Sequence, residues 1–587
     1  MGSTGDSPVP VGDPPTGTSQ SAPSIRPSSS AGDARPIPSG ESPDGTGQWP
    51  VLPKSQFPDR LPAVCLMTRT QKKRLVIAGI LVALPVLFLA EEHFRGKWAL
   101  AKLKGQLVAR GEKLTVKECW PTAPESAENG YAGLLRAAAM LGGSSLTFAA
   151  PRSMRAVAPG KVEVILGLTE WKVSDTDRKR ATNNNWRTLE ESFVAYGDPL
   201  AEVRGAIRKP VFDANVDYAR GFDALLPHLG RLRSAGQHLG VDALIQLHNG
   251  RLDEAIEDIE AQLLLSHQVR NERLLISQLV RMSIISLAIG PTWQALQAPG
   301  LTDAHLARLQ RAWETNEFLL NMNQALEMER AIGVAMFARA RGSVDDAAGM
   351  LDGMANWGSL GTRPATGAVQ SFDDLADRIG ERSGQVVMKG VYVPLWQFAW
   401  SCQDECFYVG TMQEALESGR EAVRGYSAAP ISLASKHLEQ RSTNQSFYGQ
   451  ITHHLSEQLA SPLTRAFQRA ASIEAQRALT VTAIALKRHE LRHGSLPATL
   501  TALVPQFLHE VPRDIFDGQP LRYRPGEGGR YLLYSFGKDE HDDGGDPSPP
   551  DKTTRGLQFY NGRDWVWPMP ASEEEIRAAD EKEAPRK

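Results

Sequence analysis

Apolar residues recur at three- and four-residue spacing along Leu225–Leu232, Ala243–Leu265 and Leu274–Leu296, the signature of helices with one buried face. This pattern dominates from Phe94 to about Gly494, so residues 93–460 read as a large helical body and a long helix follows from 461. Two stretches depart from it. Lys161–Val173 alternates in the manner of a strand around Val162, Val164 and Leu166, and the Gly-rich piece Gly342–Gly367 reads as a long loop or mobile insertion. Beyond Gly494 the pattern shortens to a helix at Leu500–Phe507 and strands at Leu521–Arg524, Arg530–Ser535, Leu557–Tyr560 and Asp564–Trp567. Asp517-Gly518, Gly526 to Gly529 and Asn561-Gly562 supply the turns between them. The predicted fold class is mainly α: a disordered N-terminal tail, one transmembrane helix, a helical body, and a small C-terminal α+β domain with an antiparallel sheet.

One apolar run is continuous rather than periodic. Leu75–Ala90 follows a basic cluster, Arg69, Lys72, Lys73 and Arg74, and residues 67–92 together read as a basic flank and membrane anchor. At 1.5 Å per residue the run spans about 24 Å, short of a hydrocarbon core of about 30 Å, which flanking Lys and Arg and an interfacial Trp98 can make up. Pro85 is tolerated in a membrane helix. Read instead as a cleaved signal peptide, the run would place Phe88 where a small residue is wanted. The basic flank on the cytoplasmic side sends everything after residue 91 outward, which predicts a bacterial inner membrane protein with its body in the periplasm or extracytoplasmic space. Residues 1–66 are dominated by Pro, Ser and Gly, too apolar-poor to offset their ordering entropy, and Met67 reads as an alternative start. Residues 571–587 form a charged tail.

Composition narrows the function only by exclusion. A net charge of -3 across 587 residues gives no electrostatic footing for nucleic acid. Cys65, Cys119, Cys402 and Cys406 are too few for a disulfide framework; Cys402 and Cys406 lie four apart on a helix predicted from Trp396 to about Val423. They read as idle thiols or as a local disulfide, since zinc would need two further ligands. Neither a phosphate loop of the G-x-x-x-x-G-K-[ST] kind nor a G-x-S-x-G elbow is present.

Two segments carry candidate chemistry. His489-Glu490-Leu491-Arg492-His493 has the H-E-x-x-H spacing, which puts two imidazoles on one helix face with a glutamate able to polarise zinc-bound water, as a zinc metalloprotease requires. The other reading is a helix C-terminus. Lys487, Arg488 and Arg492 crowd the site with cations that favour the dipole's negative end, and Gly494 stands where a helix terminates. Leu247–Ile256 resembles the turn and second helix of a tetratricopeptide unit, which implies either a peptide-gripping adaptor or an ordinary helical hairpin.

The C-terminal segment resembles type II secretion major pseudopilins. His493-Gly494-Ser495-Leu496-Pro497, Leu500 to Val504, Val511-Pro512-Arg513-Asp514 and Tyr534-Ser535-Phe536-Gly537-Lys538-Asp539 carry that resemblance. The whole chain looks like bacterial membrane-anchored proteins that bear such a tail, through Arg110-Gly111-Glu112-Lys113-Leu114, Leu275–Arg281 and Asp564-Trp565-Val566-Trp567. The resemblance implies a calcium-holding loop at Asp539, Asp542, Asp543 and Asp546, whose carboxylates are the hard oxygens calcium prefers. It covers residues 461–570 at most. The processed start of a pseudopilin is missing and Ile515 stands where proline is usual, so filament assembly is not implied. The function expected is a non-catalytic envelope protein with protein partners in the envelope.

Overall fold

The structure, a computed structural model, describes residues 68–121, 128–142, 154–158, 161–165, 186–357, 388–444, 446–548, 562–575 and 577. The predicted tail at 1–66, Cys65, the strand at Leu557–Tyr560 and most of the charged tail lie outside the described residues. The chain divides into two compact units, residues 1–74 and 75–587. Of the first unit only the start of helix α1 (Arg69–Ala109) is described.

The second unit is mainly helical, as the periodicity predicts. Along α1 the apolar run is exposed from Leu75 to Phe88, whereas Leu100 and Leu107 are buried. Two helices among the described residues are long and apolar enough to cross a membrane: α1, whose apolar window is 6% buried, and Leu275–Ala295, at 56%. The second is a core helix.

After α1 come α2 (Val116–Cys119), α3 (Tyr131–Met140), strands β1 (Met154–Ala158) and β2 (Lys161–Ile165), α4 (Trp186–Phe193) and α5 (Gly197–Ile207). The stretch read as one periodic pattern at Ala243–Leu265 is a hairpin of α6 (Pro227–His248) and α7 (Leu252–Gln268), broken where Gly250 takes φ +70°. Next are α8 (Leu275–Ala295), α9 (Asp303–Glu314) and α10 (Leu319–Gly342).

The predicted loop at Gly342–Gly367 is corrected: Val344–Trp357 is helix α11. Ser343 Oγ accepts from the Asp346 amide at 3.1 Å, and Ala347, Ala348 and Met350 are buried in the main core. Capping and burial outweigh the ~1 kcal/mol that each internal glycine costs. The remainder of that stretch lies outside the described residues.

The helix predicted from Trp396 begins as wide turns at Met388–Tyr392 and Trp396–Trp400 and becomes α12 (Ser401–Gly425). It is followed by α13 (Ala429–Thr443), α14 (Phe447–Thr452) and the 40-residue α15 (His454–His493). The helix expected at Leu500–Phe507 is a single turn, Leu500–Leu503, because Val504 ahead of Pro505 is extended at ψ 136°.

Two small antiparallel sheets complete the unit. One runs β3 (Arg522–Pro525), β4 (Tyr531–Ser535), β5 (Trp565–Val566), with Arg522 opposite Tyr534 and Tyr534 opposite Val566. The other places β1 between β2 and β6 (Met569–Pro570), with Val157 opposite Met569. Leu533, Trp565 and Trp567 share one buried apolar cluster with Ile484 and Leu486 of α15 and Met282 of α8. Trp293 Nε1 donates to the Pro568 carbonyl at 2.7 Å, so the chain's end is tied to α8 as well as to α15.

Candidate functional site

The last turns of α15 carry His489, Glu490 and His493. Gly494 closes the helix in the left-handed region, φ +73°, and its amide donates to the Glu490 carbonyl at 2.8 Å. The two imidazoles are adjacent, with ring centroids 4.3 Å apart and both edge-on to Phe507. His489 Nδ1 donates to the Ser495 carbonyl at 2.9 Å, just past the helix end, and His493 Nδ1 to the His489 carbonyl at 3.2 Å, one turn back. Glu490 is engaged by Lys487 at 2.8 Å, and Arg488 and Arg492 by Asp303 at 2.7 and 2.8 Å. The three cations that crowd the segment share two carboxylates, and the glutamate a zinc protease would use as base is itself one of them. Among the described residues no group of three His, Cys, Asp or Glu is placed to hold a metal ion. The arrangement supplies two imidazoles and stops there.

The acidic loop, residues 539–546, follows β4. Asp539 accepts from the His541 amide at 3.2 Å and Asp546 from the Ser548 amide at 3.0 Å, each closing a local turn. Asp543 faces Arg563 at 3.4 Å. Asp542 accepts from the Tyr534 hydroxyl and the Gly544 amide, each at 3.0 Å, and faces Arg522 at 3.5 Å. Partial burial works against ionisation of Asp542, but these donors outweigh it and hold its pKa below the usual carboxylate value.

What organises the loop is a residue that reading the sequence did not place in any site. Asp564 is fully buried, and its Oδ2 accepts from the amides of Gly545 at 2.6 Å and Asp546 at 3.2 Å. Its Oδ1 is buried and has no hydrogen-bond partner among the described residues. Burial pushes its pKa up to about 6 against the pull of those amides. Asp514, also fully buried, plays the same part for the hairpin, accepting from Ser535 Oγ at 2.9 Å and the Phe536 amide at 3.0 Å. Both acids stand inside phrases that mark the resemblance, and a carboxylate beside an apolar Trp-Val-Trp run is the one signal that could have shown Asp564 to be buried.

Cys402 and Cys406 are free, half-buried thiols on α12, and burial pushes the Cys406 thiol up. The α6–α7 hairpin does not continue as a repeat: α8 begins 48 residues after α6 rather than about 34. Beside that hairpin lies an open cavity of about 490 Å³ that the sequence did not flag, walled by both charge signs, among them Glu190, Arg204, Asp242 and Glu254. Arg204 bridges Asp242 at 2.6 Å and buried Asp258, one cation shared between two acids.

In comparisons with known proteins, no family model, no curated protein and no solved structure matches the chain.

Proposed function

We propose that the chain is a single-pass protein of a bacterial inner membrane, anchored by Leu75–Ala90, whose helical body and pseudopilin-like terminal module form a non-catalytic platform for protein partners outside the cytoplasm. The observation that carries this reading is the contrast along α1. From Leu75 to Phe88 its apolar run is exposed while Glu92, Gly96, Leu100 and Leu107 of the same helix are buried against the body. Water would not tolerate such a surface: uncovering that many apolar side chains costs about 25 cal/mol per Å². A bilayer satisfies it and leaves the backbone hydrogen bonds intact. Cells expressing the full chain with alkaline phosphatase at its C-terminus are expected to retain it in the membrane through alkaline carbonate washing and to show phosphatase activity. Release by carbonate would remove the anchor, and retention with an inactive phosphatase would reverse the orientation.

A second reading, calcium binding by the acidic loop, is favoured by the orphaned Oδ1 of Asp564 beside Asp542, Asp543 and Asp546. The carboxylates are the hard oxygens calcium takes; among the described residues no three of them converge on one point, so an ion would have to draw them together, and Gly544 at φ +72° and Gly545 at φ +90° let the loop wrap closely. Arg522 and Arg563 would have to yield to the ion, which opposes it. Millimolar calcium is expected to raise the melting temperature of the full chain in detergent, and Asp564→Asn and Asp539→Ala are each expected to abolish the rise. A melting temperature that calcium does not move ends this reading.

A further inference from the structure

Where α1 leaves its apolar run it does not stand free of the body. The Phe88 ring, inside the run, meets Tyr448 of α14 edge-on at 6.2 Å, and Trp400 Nε1 donates to the Tyr448 hydroxyl at 3.1 Å. One turn further on, the His93 ring stacks on Phe398 at 5.0 Å and its Nδ1 donates to the Phe398 carbonyl at 2.6 Å. Gly96 then lets α12 approach so closely that a Cβ there would meet Gln403 Cγ at 2.7 Å. These contacts fix the height of the body along the helix axis. Tyr448 lies level with the last turns of the run, and Phe398 lies just past its end.

The body's exposed side chains at that height are largely apolar, while α1 itself carries the exposed Glu91–Arg95 pair there. Phe447 is 68% exposed and Phe398 52%, with Val391 and Tyr448 also exposed, and Phe94 and Trp98 stand out from α1 itself. No charged residue occurs from Gly390 to Gln403 or from Ser446 to Thr452. The run alone covers about 24 Å of a core about 30 Å thick, and these aromatics stand at its outer end, where part of the deficit can be made up. Phenylalanine, tyrosine and tryptophan are the residues that partition to the membrane–water interface.

We propose that the wide turns at Val391–Trp400 and helix α14 form a membrane-facing seat that dips into the outer interface of the bilayer that Leu75–Ala90 spans. This rests on the anchor reading and goes further: a body held at Phe88 cannot stand off a bilayer that contains Phe88. The occupant is the lipid surface, because the patch is continuous with the exposed apolar surface of α1.

The test reconstitutes the full chain in phosphatidylcholine vesicles containing a phospholipid with a photoactivatable acyl chain, and maps labelled peptides by mass spectrometry. Label is expected in Leu75–Ala90 and also in Val391–Trp400 and Phe447–Thr452. Val391→Asp with Phe447→Asp, both at exposed positions, is expected to remove label from the last two segments, keep it in the first and leave the melting temperature unchanged. Label confined to Leu75–Ala90 overturns the seat and leaves the anchor standing. Cross-linking of the two body segments to a second copy in place of lipid also overturns it. Label in none of the three segments overturns the anchor reading itself.

Discussion

Replacing Glu112 with alanine is expected to destabilise the body by about 3–5 kcal/mol, because it breaks a buried ion pair and strands one partner. Glu112 follows α1, and Gly111 at φ +80° turns it back beneath the helix. Its Oε2 accepts from Arg330 at 2.9 Å and from Arg420 at 3.0 Å; its Oε1 accepts from Arg420 and from Gln413 Nε2 at 3.0 Å. Arg330 is fully buried in α10 and also donates to the Lys113 carbonyl at 2.8 Å. Arg420 of α12 reaches on to Glu327 at 2.9 Å, so two arginines face two glutamates and the cluster is neutral. Without Glu112 the charge on Arg330 keeps only neutral partners in a site closed to water. Urea unfolding of the full chain in detergent gives the measurement, and a loss under 1 kcal/mol would show that Arg330 finds water. Arg330→Met in the alanine background is expected to restore part of the loss, since an apolar side chain of similar length needs no partner.

The same pair sets a pH dependence. Hydrogen bonds from Arg420, Gln413 and Arg330 outweigh burial and hold the Glu112 pKa down to about 2 from an ordinary value of 4.5. A carboxylate held below its unfolded value contributes its stability above pH 4.5 and loses it as the pH falls towards 2; at ~1.4 kcal/mol per unit the contribution is about 3 kcal/mol. The gap in urea midpoint between the wild type and Glu112→Ala is therefore expected to narrow steadily below pH 4.5. A gap independent of pH would assign the loss to packing rather than charge.

Why this cluster is invisible in the sequence is instructive. Arg110-Gly111-Glu112-Lys113-Leu114 stands out as a phrase, but the partners of Glu112 lie 218 and 308 residues away, beyond any periodic or spacing argument. What spacing reports is local. The α6–α7 hairpin, the terminating Gly494 and the β3–β4 pair were legible because Gly250, Gly494 and the Gly526 to Gly529 turn each force the backbone within a few residues. Where glycine was over-read, at Gly342–Gly367, burial of Ala347, Ala348 and Met350 decided in favour of helix. Pairing of β1 with β6 was out of reach for the same reason as Glu112, since Val157 and Met569 meet only after the whole body has folded between them. The candidate sites divide along the same line. The H-E-x-x-H segment was legible as a motif, but the pairing of Glu490 with Lys487 and the closure by Ser495 are what give it a structural job. The acidic loop was legible as a run, whereas Asp564, which holds that loop from 18 and 19 residues away, was not.

Asp404→Ala is expected to cost about 4 kcal/mol and to loosen the corner on which the exposed aromatics Phe398, Phe447 and Tyr448 sit. The carboxylate of Asp404, fully buried in α12, caps another helix. Its Oδ2 accepts from the Leu455 amide at 3.1 Å and from Trp396 Nε1 at 2.9 Å, and its Oδ1 accepts from the Ser456 amide at 3.0 Å. Leu455 and Ser456 are in the first turn of α15, where amides have no intrahelical partner and the dipole favours an anion. The residue preceding α15, His453, makes no side-chain cap, so Asp404 takes that role across the fold. Removing it orphans three buried donors at ~1–3 kcal/mol each, partly relieved by water that enters the space. Asp404→Asn keeps one good acceptor but turns an amide NH2 towards a donor, so it is expected to recover less than half of the loss. Hydrogen exchange reports the mechanism directly. Exchange at Leu455 and Ser456 is expected to quicken in both variants while amides in the middle of α15, around Ile473, stay protected. Uniform loss of protection along α15 would mean that Asp404 supports the whole helix rather than its first turn. Because Trp396 precedes Phe398 by two residues and Leu455 follows Tyr448 by seven, a single carboxylate positions both halves of the aromatic edge. Lipid labelling of Phe447–Thr452 is therefore expected to become diffuse in Asp404→Ala while that of Leu75–Ala90 stays unchanged.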